Sequence, residues 1–129
     1  MVRLSGFADE ISADFDEQLA TLEKEKIRFF ELRGVWGKNV LMLSDEEVAD
    51  IVQKMQAKGI GVSAIGSPIG KYDIKADFPT QMKQLERIID IAKAVGTRYI
   101  RVFSFYIPES ENPANYRDEV MARMRAMVE

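Results

Sequence analysis

The chain has 129 residues, 47% of them hydrophobic and 30% charged, a net charge of −3, and neither cysteine nor histidine. That length suits one domain with a sizeable core, while the acidic balance offers no basic stripe for a nucleic-acid backbone and the lack of cysteine excludes disulfides and thiolate metal sites. The commonest metal ligand and the usual proton carrier near neutral pH are absent with histidine, and no long apolar run resembles a signal or membrane span, so the expected setting is the cytoplasm without a membrane partner.

In chain order, four short β-like runs alternate with helical patterns. The first run is VRLSGFA, residues 2–8. Ser12 then reads as the N-cap of a helix over ADFDEQLATLEKEK, whose Phe15, Leu19 and Leu22 share one face. The acidic residues Asp14, Asp16 and Glu17 are the charged first turn of that helix, complementing its dipole, rather than a carboxylate metal site. IRFFELR, residues 27–33, is the second run, and Ser44 with Glu47 forms a capping box opening a second helix that Gly59 stops. GVSAIGS, residues 61–67, is the third run. Asp77 and Pro79 announce the third helix, with an apolar stripe of Leu85, Ile88, Ile89 and Ala92 ended by Gly96. RYIRVFSFY, residues 98–106, is the fourth run, followed from about Pro113 by a helix carrying Tyr116, Val120, Met124 and Met127.

A strand and a helix recurring about every 30 residues is the mark of β/α units and of a parallel sheet. Such units build either an open sheet with helices on both faces or one half of an eight-stranded barrel. Strand polarity separates the two, because an open doubly wound sheet needs strands that are apolar on both faces. If Phe30 and Leu32 face the helices, Phe29, Glu31 and Arg33 share the other side; the same parity turns Ile100, Val102 and Ser104 outward and Arg101, Phe103 and Phe105 inward. An inner face of charges and aromatics predicts an α/β fold of parallel (β/α)4 type, half of a TIM barrel with four strand-helix units over residues 1–129. The last helical pattern runs to Glu129 without a stop signal, so the chain is expected to be cut after its fourth unit.

The stretches GFADEIS, FFELRGVWGKNVL, VSAIGSPIGK and GTRYIRVFSFYIPE together resemble the N-terminal half of the xylose isomerase-like TIM barrel family, the sugar phosphate isomerase/epimerase group. The resemblance covers the whole chain in order. It implies an enzyme that moves a proton on the carbon beside a carbonyl, with a divalent metal (Mn, Mg, Co or Zn) held by Glu, Asp, His and Glu side chains from later strands. The metal acts as a Lewis acid that makes the neighbouring C–H acidic enough for a carboxylate base. Those positions would lie beyond Glu129, so neither metal nor turnover is expected of this segment alone. The implied ligand is a sugar or sugar phosphate.

Barrel enzymes take ligands at the C-terminal ends of their strands. Glu31 is placed to accept hydrogen bonds from sugar hydroxyls or to pair with Arg101 across the lumen, since a buried charge needs a partner. Arg33 nearer the rim is a carboxylate or phosphate binder or a solvated charge. The sole tryptophan, Trp36, either stacks on a sugar ring or anchors its loop. Lys38 reads as solvated, and Ser67 and Lys71 as hydrogen-bond donors to a polar ligand. Asp9 and Glu10 are adjacent on an extended segment and point to opposite sides, which excludes an acid/base dyad; Asp9 is expected to face the lumen and Glu10 the rim. Ser104 has no histidine to activate it.

The loop SAIGSPIGKYD, residues 63–73, lacks the spacing of a nucleotide-binding phosphate loop and has no helix directly behind its lysine. It reads as a rim segment stiffened by Pro68, with Gly66 and Gly70 permitting close backbone approach. A non-catalytic reading competes with the enzyme: a ligand-binding module that self-associates through the open edges of its half barrel. A compact flavodoxin-like sheet, which needs no partner, is a third reading.

Overall fold

The structure is a computed structural model and describes residues 2–129. Helix α1 spans Phe15–Lys24, α2 Asp45–Ala57, α3 Phe78–Val95 and α4 Arg117–Val128. The strands are β1 (Phe29–Leu32), β2 (Gly34–Val35), β3 (Lys38–Asn39) and β4 (Gly61–Ile65).

β1 and β4 pair in parallel, and single parallel bridges extend the array on both sides, Phe7 to Glu31 and Ile65 to Ile100. The parallel segments therefore lie side by side in chain order. A doubly wound sheet would reverse direction from its first strand. The first and fourth runs are shorter than expected, each joined to the array by isolated bridges rather than a continuous ladder. Each has one neighbour in the array, so half of its backbone groups have no strand to bond.

Burial follows the expected parity on β1: Phe30 and Leu32 are buried, while Phe29, Glu31 and Arg33 are half-buried. Phe15, Leu19 and Leu22 of α1, Val48, Ile51 and Met55 of α2, and Leu85, Ile88, Ile91, Ala92 and Val95 of α3 close over the outer side of the sheet. The stripe on α3 is turned slightly from the expected one, with Ile91 buried and Ile89 only packed against the cluster.

Helix ends obey local chemistry with one exception. Ser44 and Glu47 form the reciprocal capping box, Asp77 caps α3 by accepting from the Thr80 amide, and Gly96 closes α3 in the left-handed region. On α1 the cap is Asp14, which accepts from the Glu17 amide, whereas the Ser12 hydroxyl accepts from the Asp14 amide one step earlier. Both residue types cap well, and the one next to the first helical residue takes the position. α4 is preceded by a 3-10 turn, Pro113–Tyr116, and has no fully buried residue.

Hydrogen bonds hold two of these acidic groups below the usual carboxylate range: Lys38 and then the Ser44 amide act on Glu47, and Thr80 acts on Asp77. A carboxyl lowered in the folded state stabilises the fold above its unfolded value and loses that contribution as pH falls through its folded value. The melting temperature, followed by far-UV circular dichroism, is therefore expected to be lower at about pH 3 than at about pH 6. Equal melting temperatures at the two pH values would contradict this assignment.

Candidate functional site

The C-terminal ends of the parallel segments gather around Arg33. Its Nε and Nη2 donate to the two carboxylate oxygens of Asp9 at 2.8 and 2.9 Å, and Nη2 also reaches Glu10 at 3.1 Å. The paired carboxylates raise the Arg33 guanidinium above its ordinary value, the hydrogen bond to Asp9 first among the causes. The flat guanidinium lies 4.1 Å from the centre of the Phe7 ring. Gly66 makes room for this stack: a Cβ there would stand 2.9 Å from Phe7 Cε1 and 3.0 Å from Arg33 Cβ.

Arg101 does not pair with Glu31. Its Nη2 donates to the carbonyls of Gly66 and Ser67, both at 3.2 Å, and its guanidinium lies 5.3 Å from the centre of the Phe7 ring and 4.7 Å from that of Phe103. Pairing between β1 and β4 slips between Phe30 and Glu31, where Phe30 faces Val62 and Glu31 faces Ala64. Aromatic rings fill the space beside Arg101, and Arg33 takes the nearby carboxylates.

Ser67, expected to face a ligand, is fully buried; its hydroxyl donates to the Arg101 carbonyl at 2.5 Å and accepts from the Ile69 amide at 3.3 Å. The loop around it is not a free rim segment. Phe103 and Phe105 amides donate to the carbonyls of Ile69 and Gly70 at 2.8 and 2.9 Å, so the loop runs against the fourth segment as a backbone ladder. Lys71 remains exposed, with Nζ 5.9 Å from the centre of the Phe103 ring.

Trp36 lies in the turn between β2 and β3. It is partly buried, meets Phe15 edge-on at 6.1 Å, and occupies the left-handed region at φ 55°. With Gly37 at φ 73° it forms the two-residue turn of the β2–β3 hairpin, a turn that requires positive φ at both central residues. Lys38 is exposed, as expected, and pairs there with Glu47 at 2.6 Å.

Phe103 lies with Arg101 as expected, but Phe105 does not. At φ 72° its ring meets Phe78 of α3 edge-on at 6.4 Å, with the Arg123 guanidinium 5.4 Å from its centre. Ser104 is exposed. The left-handed residue breaks the strand alternation on which the inward placement of Phe105 rested.

A cleft of about 330 Å³ opens beside Arg33, with Asp9, Lys38 and Asn39 in its wall. Its charged groups already have partners: Asp9 with Arg33, Lys38 with Glu47. Among the described residues no three acidic side chains converge on one point. Asp9 and Glu10, the acidic pair at the end of the first segment, both face Arg33. These residues do not fit a divalent metal.

Asp9→Asn is expected to destabilise the chain by about 1–2 kcal/mol, because the half-buried Arg33 loses its bidentate partner. Urea unfolding would measure this. Glu10→Gln, at an exposed position, is the control and should cost no more than about 0.5 kcal/mol; equal losses would contradict the assignment of Asp9 as the principal partner.

No family model matches the chain, and no curated protein matches it in sequence. Solved structures do. A xylose isomerase domain protein from Alicyclobacillus acidocaldarius superposes with a TM-score of 0.72 at 17% identity, over 97% of this chain and 44% of that one. A xylose isomerase-like TIM barrel protein from Mycobacterium smegmatis, solved in complex with magnesium, gives 0.65 at 14% identity, over 97% of this chain and 49% of that one. The chain thus has an α/β fold found in xylose isomerase-like TIM barrels and spans about half the length of each.

Proposed function

We propose that the chain is one (β/α)4 half of a barrel enzyme of the sugar or sugar phosphate isomerase/epimerase type, which moves a proton next to a carbonyl. The observation that carries this reading is the superposition of 97% of the chain on about half of two xylose isomerase-like barrels. The order of the parallel segments supports it, since a barrel keeps sequence neighbours adjacent. Substrate would approach the inner face at the C-terminal ends, where Glu31, Arg33, Lys71 and Arg101 supply charge; Ser67 and Trp36 hold the backbone that presents them.

Because Asp9 and Glu10 are tied to Arg33, the catalytic base and any divalent metal are assigned to residues outside this chain. Alone, the chain would bind and orient without turnover. The setting proposed is cytoplasmic, without nucleic acid or membrane partners; no helix among the described residues is long and apolar enough to cross a membrane. Metal-supplemented isomerase assays on the complete protein, across sugar phosphates, free ketoses and inositols, should find turnover. Inactivity on all three classes would overturn the enzyme reading.

A second reading, a self-associating binding module, is favoured by the open edges. Val2 and Leu4 are 90% and 69% exposed on one side, and Tyr99 is 71% exposed on the other. Unpaired strand edges invite pairing with another chain. Light scattering should detect oligomers, and a monomer at high concentration would count against this reading.

A further inference from the structure

Two cations on the inner side remain uncompensated after the ion pairs are assigned. Arg33 has Asp9 and Glu10, but Arg101 has only the neutral carbonyls of Gly66 and Ser67, with no carboxylate within 4.0 Å among the described residues. Its Nε is buried without a hydrogen-bond partner. Lys71 likewise has no ion-pair partner among the described residues, although it stands over the same Phe103 ring as Arg101. Two strand-end arginines thus share the Phe7 ring, and one of them lacks an anion.

We propose that Arg101, Lys71 and Phe103 form an oxyanion site that takes the phosphate or carboxylate of a small ligand. This deepens the proposed function by giving its substrate a charge, and it rests on that reading for the ligand's identity. The guanidinium is held before any ligand arrives, by two backbone carbonyls and by the nearby rings of Phe7 and Phe103, so little ordering is lost when it binds. Its Nε is shielded from water, which strengthens its field. Lys71, on an exposed flexible stem, can close on the anion as a point charge. Arg33 is unsuited to the task because its donors already hold carboxylates.

Titration of the isotope-labelled 129-residue chain with inorganic phosphate, with malonate, and with chloride at matched ionic strength tests the site by nuclear magnetic resonance. Phosphate or malonate should shift amides around Gly66, Lys71 and Phe103 saturably, and chloride should not; the tighter of the two identifies the ligand as phosphate ester or carboxylate. Lys71→Gln, at an exposed position that preserves the fold, should weaken binding about tenfold. Arg101→Lys should weaken it at least as much, and Lys71→Gln decides the question if that variant does not fold. No saturable shift with either oxyanion, or unchanged affinity in Lys71→Gln, would overturn the proposal. Oxyanion binding with an inactive complete protein would remove the enzyme and keep the site; activity without oxyanion binding would do the reverse.

Discussion

Gly70→Ala is expected to lower the stability of the chain by at least about 3 kcal/mol, enough to unfold much of a marginally stable domain. Gly70 has φ 77°, and a Cβ there would sit 1.8 Å from the Phe103 carbonyl oxygen and 2.7 Å from its carbon. That backbone cannot retreat easily, because Phe103 donates to Ile69 at 2.8 Å and Phe105 donates to Gly70 at 2.9 Å, pinning it on both sides of the clash. Gly37→Ala separates strain from collision. Its φ is 73° but nothing lies within 4 Å of the added methyl, so it should cost only about 1 kcal/mol. Chemical denaturation of both variants checks the contrast, and equal losses would mean that the loop does not lie against the fourth segment as described.

Phe15→Ala is the second large effect, expected at about 3–5 kcal/mol. Phe15 is fully buried where α1 meets the sheet, its ring 5.9 Å from Phe30 and 6.1 Å from Trp36. Removing it opens a cavity between helix and strand and takes away the wall that holds Trp36 in a left-handed turn. Trp36 fluorescence should shift to the red as water enters. A loss under about 1 kcal/mol with unchanged fluorescence would show that Phe15 is not the keystone of this contact.

The helical layer was largely legible in the sequence because its signals are local. Ser44 with Glu47, Asp77 with Pro79, and Gly96 each act within a few residues, and they mark helix ends in the structure as well. The polar parity of β1 was legible for the same reason, since alternation needs no knowledge of the partner strand.

The site was less legible because it depends on contacts distant in the chain and on backbone sign. Arg33 and Arg101 both lie on the inner side, yet only Arg33 meets carboxylates, those of Asp9 and Glu10 at the end of the first segment. Asp9 is 24 residues from Arg33, beyond any local pattern. Ser67 is drawn inward by the ladder that the Gly70 turn makes possible, and Phe105 leaves the inner face through its positive φ. The Trp36–Gly37 turn hid for a different reason: a tryptophan at a position that usually takes asparagine or glycine is sustained by its packing on Phe15.

Strand order carries the half-barrel reading, and nuclear Overhauser contacts in the labelled chain measure it directly. Cross-peaks should join Gly6 to Glu31, Phe30 to Val62, and Ile65 to Arg101, the pairs that place the four parallel segments side by side in chain order. Contacts that set residues 2–8 between β1 and β4 would instead describe a doubly wound sheet, and would contradict the account.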